Sequence, residues 1–348
     1  MSSAASQDSS AAAALPLLDL RDFNGGTPGS RARFITRLRE TAHRVGFFYL
    51  QGHGLGANEV AGLFASGREF FALPRERKLA LRMANSPHFR GYTAYGEEIT
   101  RGAPDWREQL DIGAERTPLP EAETGSAEQA WRRLQGPNQW PAELPQLKTR
   151  LLAWQDQMSG VARSLLRALA LALQQPERSF EALFEPEPVQ HLKLIRYPGR
   201  TPAQGQQGVG AHKDSGCLTL LQQDRQGGLQ VQFGGGWIEV PPLPGSLVVN
   251  LGEVLEILSG GYLRATLHRV ISPPSGIERL SVAYFHGPRL DATLSALQLP
   301  ADLAAQARGV ELDPLNPLIP HAGRNFLKGR LRSHVDVAQA FYADALPR

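Results

Sequence analysis

Between residues 147 and 172 apolar side chains return every three or four positions: Leu147, Leu151, Trp154, Met158, Val161, Leu165, Leu169 and Ala172. That spacing gathers them into one stripe, and it predicts a long helix facing a core. Further on the period changes. Leu229, Val231 and Phe233 alternate with Gln230 and Gln232, the pattern of a strand buried on one side. Gly234, Gly235 and Gly236 then lead into Trp237, Ile238, Glu239 and Val240, which reads as the turn and return strand of a hairpin. More strands are expected over residues 246–251, 266–271 and 280–285. Upstream, residues 16–20 read as a short first strand, 31–45 as a helix and 46–50 as a buried strand. Residues 56–82 read as helix broken near Pro74, and 117–145, rich in Pro, Gly and polar residues, as a loop. Helices return from Leu299 onward. Many short strands with Gly/Pro turns indicate a sandwich, barrel or jelly roll, here with helices before and after it.

Composition narrows the function classes. The chain has 348 residues, 42% hydrophobic and 20% charged, with a formal net charge of +3, so it can bury a large core. Its basic residues are scattered, and the densest run, Arg75, Arg77 and Lys78, reads as a solvated face. Without a basic stripe to displace counterions, nucleic acid is not an expected partner. Cys217 is the single cysteine. That rules out an intrachain disulfide and thiolate zinc or iron–sulfur sites, and it fits a reducing, cytoplasmic setting. Residues 1–14, rich in Ser and Ala with no positive leading segment, are expected to be a disordered tail. No run approaches the ~18–20 apolar residues of a membrane span.

Candidate chemistry lies in the strand-rich half. His212, Lys213 and Asp214 precede the apolar strand at 217–221, and alternate positions of an extended segment share a face. An imidazole and a carboxylate can therefore converge on one ion, with His268, in another predicted strand, as the third donor. Two histidines and a carboxylate on one face of an octahedral ion leave three positions open, which suits iron(II). The triplet alone says little, because His334, Val335 and Asp336 repeat it in a helical tail, where it reads as a solvated or capping pair. Context lifts the first copy. Arg279, Leu280 and Ser281 place a guanidinium and a hydroxyl on one face of the next strand. There they can grip a carboxylate, although Arg279 taken alone could equally form a surface salt bridge.

With these residues in order, the chain resembles the isopenicillin N synthase-like branch of the 2-oxoglutarate/iron(II)-dependent dioxygenases along nearly its whole length. Val45, Gly46, Phe47, Phe48 and Tyr49, then Gly52, His53 and Gly54, are similar to that family's "GFF…NHG" signature, with Gln51 and Gly52 in place of the usual Val–Asn. Phe70 to Pro74, Gly91–Tyr92 through Gly96–Glu97, Asp105 to Glu108, Trp237–Ile238, Asn250 to Glu253 and Ser259 also match. Ile195 and Arg196 depart from the Asn–Tyr usual in plant members.

The resemblance implies an α+β fold, a distorted double-stranded β-helix (jelly roll) flanked by helices. Its parts would be a dioxygenase N-terminal region over 15–125, a catalytic core over 185–295 with the 147–174 helix against it, and a helical tail over 296–348. It implies iron(II) on His212, Asp214 and His268, and 2-oxoglutarate and dioxygen as co-substrates. Arg279, Ser281 and Tyr197 would hold a carboxylate, and His53 would be structural. The implied reaction is hydroxylation, desaturation or cyclisation of a small molecule, acidic molecules being among the candidates, with release of succinate and carbon dioxide, by a monomer. Two alternatives stay open: a synthase-like oxidase that uses no 2-oxoglutarate, and a non-catalytic metal- or ligand-binding jelly roll. Tyr92, Tyr95, Phe285 and the C-terminal helix are candidate substrate walls, and Arg269, beside His268, is a candidate anion contact.

Overall fold

Strand pairing decides which side chains can meet. The computed structural model describes residues 15–311 and 316–346; the tail expected over 1–14 lies outside the described residues. Its strands are β1 Leu17–Asp19, β2 Phe47–Gln51, β3 Gly91–Thr93, β4 Ile99–Thr100, β5 Ala103–Pro104, β6 Glu108–Gly113, β7 Val189–Pro198, β8 Gln207–His212, β9 Leu218–Gln223, β10 Leu229–Phe233, β11 Gly236–Glu239, β12 Leu247–Leu251, β13 His268–Ile271 and β14 Glu278–Gly287. Eight of them form a major sheet in the order β1-β2-β12-β9-β14-β7-β6-β3, and β11-β10-β13-β8 form a minor sheet facing it. β4 and β5 make a small hairpin beside β8, tied there by the Trp106 amide donating to the Gly208 carbonyl at 2.9 Å.

Period-two alternation sorts the major sheet into two faces. Leu192, Leu194, Leu280, Val282, Tyr284, Leu218, Leu220, Leu247 and Val249 point outward into the main core, where the helix Pro145–Ala172 buries its Leu147–Ala172 stripe. Ile195, Tyr197, Ala283, Val248, Phe47 and Tyr49 point inward, against Val209, Val231 and Val270 of the minor sheet. The space between the sheets is therefore lined from both, as a jelly roll requires.

Several expected boundaries move. The 31–45 helix runs from Pro28 to Arg44, because Thr27 caps it by accepting from the Ser30 amide. The loop expected over 117–145 holds a short helix, Glu121–Thr124, and a 3-10 segment, Ala127–Leu134. The tail contains Ala301–Ala304, Ala322–Ser333 and Val335–Phe341. His334, between the last two helices, is not solvated: it is buried, with Nε2 3.3 Å from Glu98 Oε1. β6 escaped the pattern because its fully buried residues include Glu108 and Asp111, whose cationic partners come from far along the chain.

Buried imidazoles make the fold acid-sensitive. His286 is stacked on Phe184 (5.1 Å between centroids), and its Nδ1 lies 2.9 Å from the Tyr284 hydroxyl. Burial pushes its pKa from 6.5 down to about 3, and burial does the same to His191, to about 3. Unfolded chains take up protons on these rings below pH 6.5 that folded ones refuse, so stability is full above 6.5 and is lost as pH falls toward 3. Denaturation of the iron-free chain should show stability dropping between pH 7 and 4.5, with a shallower slope in His286→Gln; an identical slope would remove His286 from this account.

Candidate active site

β8 and β13 pair antiparallel with His212 directly opposite His268, which puts two imidazoles side by side at one end of the minor sheet, 4.3 Å between ring centroids. Asp214 reaches them differently from the expected shared strand face. β8 ends at His212, and the carboxylate comes round on the turn into β9. That turn is pinned by Gly252, whose amide donates to Cys217 (2.8 Å), and by Glu253, whose amide donates to the Asp214 carbonyl (2.8 Å). A Cβ on Gly252 would stand 2.2 Å from the Gly216 carbonyl oxygen, so only glycine admits this approach.

The three side chains offer ligand atoms that all lie within 4.8 Å of one another. His212 Nε2 and His268 Nε2 stand 3.6 and 3.7 Å from Asp214 Oδ1. A triangle of that size takes an ion at the ~2.0–2.2 Å usual for N and O donors. The neighbours fix which atoms are free. His212 Nδ1 is 2.8 Å from the Gly210 carbonyl and His268 Nδ1 3.1 Å from that of Thr266; a carbonyl only accepts, so each Nδ1 carries the proton and each Nε2 a lone pair. Asp214 Oδ2 accepts from Thr219 Oγ1 (2.5 Å) and Asn250 Nδ2 (2.6 Å), leaving Oδ1 for the ion. Burial, and then the charge of His268, lower the His212 pKa to about 4. Burial would raise Asp214, but the two imidazoles and the Thr219 and Asn250 hydrogen bonds hold it below its usual value. A neutral imidazole pair and an ionised carboxylate are the forms that bind metal.

Farther inside, on the inner face of β14, Arg279 is 1% exposed. Nη1 donates to Ser281 Oγ (3.3 Å) and Nη2 to Gln223 Oε1 (3.0 Å), while Nε has no acceptor. Among the described residues no carboxylate pairs with it, and burial lowers its pKa. The surface salt bridge considered for Arg279 is thus absent. A buried guanidinium with an open donor and only neutral partners is costly unless a carboxylate completes it. Tyr197, opposite Arg279 in the β7–β14 register, lies under it, ring centroid 5.0 Å from the guanidinium carbon. The Tyr197 hydroxyl accepts from Arg107 Nη1 at 3.4 Å.

Other candidates fall elsewhere. Arg269 turns away from the metal side: its guanidinium carbon is 4.2 Å from the Trp237 ring centroid and its Nε donates to Gln230, as strand alternation demands. Tyr92 is no wall either; it is in the outer core, donating to Glu108 at 2.5 Å. Tyr95 is exposed against Trp106 and Arg200. Phe285 does face inward, stacked on His191 (5.3 Å), which Phe326 of the C-terminal helix meets edge-on at 6.0 Å. His53 holds backbone, its Nε2 3.1 Å from the Gly245 carbonyl.

Sequence reasoning assigned no role to the charges beside the site. Arg107 binds Glu98 (2.5 Å) and Asp105 (3.3 Å). Lys193 binds Glu98 (2.6 Å), and Asp111 takes Arg330 (3.2 Å) and His191 (2.7 Å). In the sequence, Asp105 to Glu108 and Asn250 to Glu253 carry only the family resemblance.

Comparison with known proteins agrees with this geometry. Residues 15–143 match the family described as non-haem dioxygenase in morphine synthesis N-terminal, and residues 188–288 match the 2OG-Fe(II) oxygenase superfamily. A 2-oxoglutarate-dependent dioxygenase, frbJ, of Dothideomycetidae sp. (strain 11243) is 34% identical over 93% of this chain and 91% of its own. A homoarginine-6-hydroxylase of Arabidopsis thaliana is 36% identical over 77% of this chain and 80% of its own. Among solved structures, a full-length Neurospora crassa protein in complex with alpha-KG and 5-formyluracil superposes with a TM-score of 0.74 at 26% identity, covering 95% of this chain and 99% of that one. On these grounds the chain belongs to the 2-oxoglutarate/iron(II)-dependent oxygenase superfamily, and it is a dioxygenase acting on a small molecule with iron(II), 2-oxoglutarate and dioxygen.

Proposed function

We propose that His212, Asp214 and His268 are the iron ligands, that Arg279 and Ser281, backed by Tyr197, take the distal carboxylate of 2-oxoglutarate, and that the substrate lies beside Phe285 and His191. The observation that carries this reading is the pairing of two incomplete sites between the sheets. One is a donor triad with its lone pairs free, and the other is a buried guanidinium lacking a carboxylate. A five-carbon diacid with an oxo group beside one carboxyl completes both. Bound there, iron supplies dioxygen activation. In a hydroxylation, substrate C–H, dioxygen and 2-oxoglutarate give C–OH, succinate and carbon dioxide, which balances.

The chain's own part is geometric. Carbonyls orient the imidazoles, Thr219 and Asn250 aim the carboxylate, and Arg279 fixes the far end of the co-substrate. The curated relatives named for 2-oxoglutarate dependence argue against both the co-substrate-free oxidase and a non-catalytic jelly roll. We read the protein as a monomer of the cytoplasm. Its one cysteine is buried, and no helix among the described residues is long and apolar enough to cross a membrane.

Anaerobic titration of the iron-loaded protein with 2-oxoglutarate should develop a weak visible charge-transfer band. Arg279→Ala should weaken that titration by about 2–5 kcal/mol, ~30-fold or more; unchanged affinity would refute the carboxylate assignment. His212→Ala and Asp214→Ala should lose most iron binding and succinate formation, and full turnover in either would end the triad assignment. Asn250→Ala keeps all three ligands but frees the carboxylate to rotate, so its iron(II) affinity should fall by roughly 10–100-fold, read by direct titration.

A further inference from the structure

A second incomplete arginine stands outside the chamber just described. At the end of the major sheet where β6 and β14 finish and β7 begins lies a cavity of about 410 Å³, whose charged lining is Arg90, Arg116, Arg132 and Arg289 against Glu123, Glu187 and Asp291, with Phe326 on its wall. It opens at the same end of the barrel as the metal triad: Cys217, in the Asp214 turn, donates its amide to His286, the residue before β14's last. Phe326 lines this cavity and also meets His191, the ring stacked on Phe285.

The charges in this wall do not balance. Arg116, Arg132 and Arg289 have acidic partners, Glu187, Glu123 and Asp291. Those side chains are 61%, 47% and 62% exposed, against 23%, 34% and 32% for the arginines. The acids line the same cavity but are the more exposed partner of each pair, and pairs of this kind contribute little. Arg90 is different. It is 7% exposed and has no carboxylate partner among the described residues. Its Nη1 donates to the His88 carbonyl (3.0 Å) and Nη2 to that of Leu134 (3.4 Å), and its Nε has no acceptor. The inner carboxylates are already committed: Glu98 to Arg107 and Lys193, Asp105 to Arg107, and Asp111 to Arg330. Burial, with Arg330 nearby, pushes the Arg90 pKa down to about 10, so the charge persists at neutral pH. Nη2 also occupies the space where a Cβ on Gly113 would sit, 2.4 Å away. A buried, unpaired cation on a cavity wall is the arrangement that an incoming anion completes.

We propose that this cavity receives the carboxylate end of an organic-acid substrate, with Arg90 as its anchor, while the reacting end passes Phe326 to the metal chamber. This rests on the dioxygenase reading and adds the substrate's chemical class.

The test uses the anaerobic iron(II) protein saturated with 2-oxoglutarate, so that Arg279 is occupied. Straight-chain carboxylates from butanoate to decanoate are titrated beside their neutral amides. The carboxylates should bind at least tenfold tighter, Arg90→Gln should bring the two within twofold, and Arg116→Gln should cost the carboxylates a few-fold. Each variant's 2-oxoglutarate band serves as the folding control. If Arg90→Gln fails that control, Gly113→Ala, which displaces the guanidinium, replaces it with the same expectation. On admitting dioxygen, succinate release should be stimulated by carboxylates with an optimum chain length and not by amides. Equal binding of acids and amides would overturn the anchor. Arg90-dependent binding with no stimulation at any length would overturn the substrate assignment and leave a separate anion site. Absence of the band in the parent protein would remove the dioxygenase reading itself.

Discussion

Charge taken out of water has to be answered by charge or by a full set of hydrogen bonds, and that constraint joins the parts of this molecule. Glu98 follows the Gly91–Thr93 strand, Asp111 lies on β6, Lys193 and His191 on β7, and Arg330 and His334 in the C-terminal segment. Their contacts run without a break: His334 to Glu98, Glu98 to Lys193 and Arg107, Lys193 on to Asp111 at 3.9 Å, and Arg330 and His191 to Asp111. An N-terminal strand, the central sheet and the last helices meet in one electrostatic knot. The knot sits directly beside the metal chamber, since Arg107 at its edge donates to Tyr197 beneath Arg279.

The same constraint explains why the site looks unfinished. Each carboxylate of the knot has a cation, yet among the described residues Arg279 and Arg90 have no carboxylate, and each keeps an Nε without an acceptor. Another buried arginine without a carboxylate, Arg200, satisfies all three nitrogens on the Gly205 and Gln204 carbonyls and the Tyr95 hydroxyl. Burial alone does not make an arginine receptive. What sets Arg279 and Arg90 apart from Arg200 is the Nε left without an acceptor.

The parts of the chain that obey a period were readable in advance. The Leu147–Ala172 stripe and the β10–β11 hairpin were legible from spacing alone, and the alternation of Arg279 and Ser281 put both on one strand face. The metal triad was readable only as a set, since the His334 and Asp336 copy has the same spacing and ends in the charge knot. What stayed hidden depended on contacts across long stretches of chain. Asp111 makes sense in a buried strand only once Arg330, more than two hundred residues later, is beside it. The opposite facing of Arg269 followed from strand alternation and was visible in the sequence. The inward facing of Arg90 was not, because it lies in an irregular stretch with no period to orient it.

The three side chains of the proposed triad are not equally sheltered: His212 is 30% exposed, against 6% for Asp214 and 10% for His268. Solvent and small chelators therefore meet the His212 imidazole before the other two side chains. Were the triad to hold iron as proposed, exchange of that ion would begin at the outer imidazole, while the carboxylate and the inner imidazole stay aimed by Asn250, Thr219 and the Thr266 carbonyl.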